Sequence, residues 1–231
     1  MIKAVFFDLY QTLVRYEPPR EEIEAKVLKD FGIDVRPEAL VRPIIAADEF
    51  IYNEIARQPL SVRSQEEKFA LYARYQAILL REAGIGYDQK IMPKLLAAMQ
   101  QSRMDLVLFD DVAPALTGLA AKGLTLGLIS NVEQDMAPTL TKLGLYAWLK
   151  IVVTSLDAGA GKPRPEIFRE ALRQAGVQSS GSIYVGDQYN VDIVGARGAG
   201  MKGILIDRGD YYKEITDCPR IKSLGEVAEY I

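Results

Sequence analysis

Asp8 closes the apolar run MIKAVFFDL, and three further β-like runs of this sequence also lead into a residue capable of chemistry. LTLGLIS ends at Ser130 and is followed by Asn131; IVVTS leads through the glycine loop AGAGKPRP to Lys162. SIYVGD ends at Asp187, and Asp192 follows in GDQYNVD. Any one of these is weak evidence of a site, because aspartate and serine commonly cap the helix that follows a strand. Together they bring carboxylates, a hydroxyl and a lysine to the carboxyl edge of one sheet, where ligands of open α/β sheets collect. Such a set can act on a small molecule and can hold an oxygen-liganded metal. Thr12 lies in the polar turn FDLYQT directly behind Asp8, with Tyr10 between the two.

The elements that must position these residues follow from hydrophobic rhythm. After Phe109 short apolar runs alternate with helical stretches: APALTGLAAKG, LTLGLIS, TLTKLGL, IVVTS, PEIFREALRQAG, SIYVGD, VDIVGARGAG and GILIDR. This alternation predicts a doubly wound parallel sheet with helices on both faces, to which residues 3–9 contribute the first strand. Between the first and second strands stands a charge-rich block with apolar residues at three- and four-residue steps, the mark of amphipathic helices. It reads as about four helices, stopped by Gly32 and Gly84 and bent or restarted at Pro43. Its aromatics Phe50, Tyr52, Phe69, Tyr72 and Tyr75 are expected in its core by that spacing. The fold class is therefore α/β, with residues 1–15 and 104–231 forming the core domain and residues 16–103 an inserted all-helical cap over the carboxyl edge of the sheet.

Composition removes several chemistries. The 231 residues are 49% hydrophobic and 26% charged with a net charge of −3, so no basic excess points to nucleic acid. No apolar run is long enough to span a membrane, and the chain enters its first strand without a signal-peptide pattern. The single cysteine, Cys218 in TDCPR, excludes an internal disulfide and fits a reducing cytoplasm. Histidine is absent, which excludes Ser-His-Asp and Cys-His machinery, histidine-held zinc and imidazole acid–base catalysis.

The segments FFDLYQTL, LISN, GKPRPEIF and VGDQYNVDIVGARGAGM, in this order and spacing, resemble the haloacid dehalogenase superfamily, and the helical insertion lies where that family places its C1-type cap. The resemblance implies a Rossmann-like core and an aspartate-nucleophile hydrolase of small molecules. In it Asp8 would be the nucleophile, Thr12 would orient the first loop, and Ser130 and Asn131 would bind a phosphoryl group. Lys162 would offset the negative charge that gathers in the site. Mg²⁺ would be held by Asp8, the Tyr10 carbonyl and Asp187, with Asp192 supporting it.

Tyr10 departs from the pattern. Phosphatases of the family carry an acid–base aspartate there, and a phenol, with an ordinary pKa of about 10, is a poor substitute at neutral pH. A tyrosine at this position is a feature of the family's 2-haloacid dehalogenases, which need no proton on the departing halide and work without magnesium. Gly186, Asp187 and Asp192 instead follow the metal-dependent pattern. Three readings stand. The first is a Mg²⁺-dependent phosphatase of small phosphorylated metabolites. The second is a 2-haloacid dehalogenase, in which Arg15 or Arg42 could clamp the substrate carboxylate. The third is a catalytically weak protein that binds phosphometabolites.

Overall fold

The computed structural model describes all residues, Met1–Ile231. In chain order the main elements are β1 (Ala4–Phe7), β2 (Val14–Glu17), α1 (Arg20–Asp30), α2 (Val41–Arg57), α3 (Gln65–Glu82), α4 (Met92–Gln101) and β3 (Asp105–Leu108). They continue with α5 (Val112–Ala121), β4 (Thr125–Ser130), α6 (Ala137–Lys142), β5 (Ile151–Thr154), α7 (Ser155–Ala158) and α8 (Pro165–Ala175). The last are β6 (Ser182–Gly186), α9 (Val194–Gly198), β7 (Lys202–Ile206) and β8 (Arg220–Ile221). No helix is long and apolar enough to cross a membrane. The chain divides into two compact units, Met1–Arg15 with Leu108–Ile231, and Tyr16–Val107. The return junction falls at Leu108, beyond the expected residue 104, because the intervening residues form β3, which pairs with β2 in a two-stranded sheet. Neither strand is expected from the sequence.

The first unit is built on a six-stranded sheet of order β5-β4-β1-β6-β7-β8, every pair parallel. β1 is central, which explains why AVFF is apolar on both faces: all four residues are buried. Its pairing with β4 sets Phe6 opposite Gly127, and a Cβ at Gly127 would lie 2.6 Å from the Phe6 ring. The glycine is thus the space into which Phe6 packs. α8 covers one face of the sheet with Ile167, Phe168, Ala171 and Leu172, a stripe at helical spacing, and Phe168 meets Tyr184 of β6 edge-to-face at 5.1 Å. The segment VDIVGARGAG, expected as one helix, opens instead with a π-helical turn, Tyr189–Ile193, before α9.

One polar tether closes this unit. Asp111, just before α5, accepts from Arg208 Nη1 and Nη2 at 2.9 and 3.0 Å, from Ser223 Oγ at 2.9 Å and from the Leu224 N–H at 2.8 Å. Partial burial works against the Asp111 carboxylate, but Arg208, the Leu224 N–H and the Ser223 hydroxyl outweigh it and hold its pKa below the ordinary value. Folding is therefore favoured by this group above the carboxylate's ordinary pKa, and the benefit is lost as pH falls through the lowered one. Asp111→Ala should cost about 1–2 kcal/mol at neutral pH after allowance for solvent screening. Urea melts should show the difference from the parent shrinking in acid.

The second unit packs α1–α4 around Ile23, Val27, Leu28, Leu40, Ile44, Leu79, Leu80 and Leu95. Gly32 and Gly84 follow α1 and α3 with φ of +79° and +68°, so both helices end where the sequence predicts. A 3-10 turn, Pro37–Leu40, precedes α2, and the α-helix starts afresh beside Pro43 rather than bending there. Pro43 sits in the first turn, where a missing N–H removes no intrahelical bond. Ser64 and Glu67 form a reciprocal capping box at the start of α3. Of the aromatic residues Tyr75 packs against this core as expected, and the others correct the sequence reading. Phe69 and Tyr72 are 46% and 41% exposed. With Tyr52 and Tyr75 they line a cavity inside this unit, while Phe50 lies under the Arg74 guanidinium at 4.8 Å.

Candidate active site

β1 delivers Asp8 to the carboxyl edge of the sheet, and the Asp8 N–H extends the ladder by donating to Val185 O at 2.9 Å. The chain then turns tightly: Leu13 and Val14 N–H both donate to Leu9 O, and the Gln11 N–H donates to Val14 O at 2.7 Å. Gln11 takes φ +59° to do so. The same turn makes a bridge between Tyr10 and Val14 and buries Thr12 completely.

Lys162 is the centre of the site. It is 2% exposed. Its ammonium donates to Asp8 Oδ1 at 2.6 Å, Asp192 Oδ1 at 2.7 Å and Tyr184 OH at 2.8 Å. An ammonium has three protons, and each has an acceptor. Its backbone is gripped as firmly. Asn131 Nδ2 donates to Lys162 O at 2.8 Å, and the Lys162 N–H donates to Asn131 Oδ1 at 2.6 Å. The Asn131 side-chain amide is thus engaged with the lysine loop, which fixes where β4 ends relative to Lys162. Burial alone would lower the Lys162 pKa, but Asp192 and Asp8 outweigh it and hold the group above its ordinary value. Burial pushes the Asp8 carboxyl up to about 6, with Asp192 adding to the rise and Lys162 opposing it.

Asp192 is placed by the π-helical turn. Its Oδ2 accepts the Gln188 N–H at 2.9 Å, and Tyr184 OH donates within reach of both its Oδ1, at 3.1 Å, and Ile129 O, at 3.2 Å. Side chains alternate along β6, so residues 184 and 186 share a face. The missing side chain at Gly186 is what lets Asp192 fit, since a Cβ there would lie 2.4 Å from Asp192 Cγ. Gly186→Ala should therefore displace Asp192, lower the metal affinity of the site by about 10–100-fold and leave secondary structure intact. Calorimetric titration with Mg²⁺ beside circular dichroism checks this.

Asp8, Asp187 and Asp192 each bring a carboxylate oxygen to within 4.8 Å of the others. Three carboxylates against one lysine leave an excess of negative charge at a partly buried point, which suits a hard, oxygen-liganded cation. Ser130 Oγ and Thr12 Oγ1 are buried with no hydrogen-bond partner in the protein, so polar capacity remains for something other than the chain itself. The donor set fits a metal ion.

Two further residues are expected from the sequence to clamp a substrate carboxylate. Arg15 ends the first stretch of the sheet unit, its guanidinium 5.8 Å from the Phe109 ring centre, and Arg42 belongs to α2 of the helical unit. Sequence reasoning missed Tyr184 and Gln188. The available signal was a single phenol in an otherwise aliphatic buried strand, since a buried tyrosine hydroxyl needs partners.

An aspartate held against a buried lysine and two further carboxylates, on the carboxyl edge of a parallel sheet interrupted by a helical insertion, defines a hydrolase class. The chain belongs to the haloacid dehalogenase-like hydrolase family, whose sequence profile matches residues 2–200. It is 31% identical over 218 residues to the glyceraldehyde 3-phosphate phosphatase of Methanopyrus kandleri, covering 91% of this chain and 86% of that one. It is 28% identical over 229 residues to the phosphoserine phosphatase of Thermus thermophilus, covering 90% of each. Among solved structures it is similar to a 2-haloacid dehalogenase from Pseudomonas syringae, with a TM-score of 0.59 and 30% identity over 99% of this chain and 97% of that one.

Proposed function

We propose that this hydrolase is a Mg²⁺-dependent phosphatase of small phosphorylated metabolites that works through an aspartyl-phosphate on Asp8. The observation that carries the reading is the cluster of Asp8, Asp187 and Asp192 about Lys162, with the buried, unpartnered Ser130 hydroxyl nearby in the chain's topology at the end of β4, which adjoins β1. The relatives named as phosphatases of a triose phosphate and of phosphoserine support it.

In this reading Asp8, Asp187 and the Tyr10 main-chain carbonyl would hold the ion, and Asp192, whose carboxylate belongs to the same cluster, would support it. Bound there, Mg²⁺ supplies charge neutralisation and orientation for a phosphoryl group. Asp8 attacks phosphorus; its bond to phosphorus forms as the bond to the leaving oxygen breaks. Lys162 offsets the charge of nucleophile and phosphoryl oxygens, and Ser130 Oγ donates to one of those oxygens. Asn131 and Tyr184 keep the lysine fixed while charge shifts around it. Water then attacks the aspartyl-phosphate, giving inorganic phosphate and restoring Asp8. Tyr10 is a weak proton donor to the leaving oxygen, so leaving groups that depart as stable anions are favoured.

The test is phosphate release from acyl, aryl and alkyl phosphates, with Mg²⁺ and with chelator, using Asp8→Asn as the blank. Acyl and aryl phosphates should exceed alkyl phosphates in kcat by about 10²-fold or more; equal rates would show that another group supplies the proton. A carbon–halogen hydrolase is the second reading, favoured by Tyr10 and by the likeness to the Pseudomonas protein. Halide release from 2-haloacids in chelator, without phosphate release from any ester, would establish it in place of the first.

A further inference from the structure

The helical unit holds a cavity of about 860 Å³ that opens on one side to solvent and whose lining residues all belong to this unit. That is the size of a small-molecule site and far beyond a packing defect. Its polar wall has two parts. Arg20 and Asp48 form a bidentate pair at 2.7 and 2.8 Å, and Tyr75 OH accepts from Arg20 at 2.6 Å and donates to Asp48 at 3.1 Å. This trio is mutually satisfied, and its charges cancel.

Glu24 and Gln76 are different. They are 4% and 1% exposed, and both line the cavity. Glu24 accepts one hydrogen bond, from Gln76 Nε2 at 3.1 Å. A carboxylate has about four acceptor positions and an amide carbonyl two, so this end of the cavity presents acceptors in excess of donors. Burial pushes the Glu24 carboxyl above its ordinary value, and the Gln76 bond and the Arg20 charge offset this only in part. A buried carboxyl short of donors is best satisfied by a cationic one. The remaining lining includes Tyr52, Phe69 and Tyr72, whose ring faces attract cations and whose flat surfaces suit an aromatic body, and Tyr16, whose ring lies under the Arg20 guanidinium at 5.7 Å. Lys68 is the other cation of the lining and is only half-buried, so its charge stays within reach of solvent.

We propose that this cavity is a binding site for a small molecule bearing a protonated amine on an apolar, ring-sized body, with Glu24 and Gln76 receiving the ammonium group. The inference stands apart from the chemistry at Asp8.

The experiment is calorimetric titration of the full chain with three ligands of one ring size: tyramine, the uncharged 4-ethylphenol, and the anionic 3-(4-hydroxyphenyl)propanoate. Tyramine should bind about 10–100-fold more tightly than 4-ethylphenol, and the propanoate should bind most weakly. Glu24→Gln keeps the side-chain shape and should bring tyramine to parity with 4-ethylphenol. The contrast among the three ligands on the unaltered protein tests the proposal even where that variant folds poorly. Equal affinities, tighter binding of the propanoate, no heat from tyramine at millimolar concentration, or a tyramine preference that survives in Glu24→Gln would each overturn it. Because the readout is binding, its failure and a failure of phosphate release are separate results.

Discussion

Asp8→Asn should lower kcat for phosphate release by at least about 10⁴-fold, because an amide cannot form or release the acyl-phosphate bond. The fold should survive. Asparagine keeps the shape of the side chain, and its Oδ1 can still accept from Lys162, which sits 2.6 Å from Asp8 Oδ1. Burial pushes the Asp8 carboxyl up to about 6, so an ionised group at this point is held at a cost that a neutral amide does not incur. Thermal stability without metal should therefore stay within about 1 kcal/mol of the parent or rise slightly. The paired measurement matters: a loss of rate with an unchanged melting temperature assigns the effect to chemistry. A variant that retained more than a few per cent of the rate would remove Asp8 from the nucleophile's role.

Lys162→Met has the opposite signature. Methionine fills a similar volume but removes the only ammonium bonded to Asp8, Asp192 and Tyr184. Two buried carboxylates then face each other without a counter-charge. Breaking a buried ion pair from one side costs about 3–5 kcal/mol, which for a chain of this size lowers Tm by about 10 °C. Activity should fall as well, yet the distinguishing result is in stability. Mg²⁺ should raise the Tm of this variant more than that of the parent, since a cation held by the same carboxylates restores part of the missing charge. Scanning calorimetry with Mg²⁺ and with chelator checks both statements, and an unchanged Tm in chelator would show that the buried pairs of Lys162 add no net stability.

The carboxylates and lysine were legible because a βα alternation forces all strand ends of one direction onto one edge; Asp8, Ser130, Lys162 and Asp187 needed only that rule to be grouped. The partners that hold them were not. Asn131 grips the backbone of a residue thirty-one positions away, and no local pattern announces such a pair. Tyr184 reads as one more apolar residue in SIYVG until Lys162 is seen beneath its hydroxyl. The departures in the helical unit have another cause. Three- and four-residue spacing shows which residues share a helix face, but not whether a neighbouring helix fills the space opposite. Tyr52, Phe69 and Tyr72 share such faces and border a cavity, while Leu79, Leu80 and Leu95 find partners. The short strands β2 and β3 escaped notice because their pairing joins residues on opposite ends of the insertion.

That pairing also bears on how such a protein can be altered over evolution. β2 and β3 lie side by side, and the Phe109 N–H donates to Leu13 O at 3.1 Å, so the chain leaves the sheet unit and rejoins it at one hydrogen-bonded gate. To the sheet, everything between is a loop with its ends already tied, and the entropy of closing a loop grows only logarithmically with its length. Insertions, deletions or wholesale exchange of the helical block should leave the sheet's folding little changed. A ligand preference housed in one block can thus be traded without rebuilding the other.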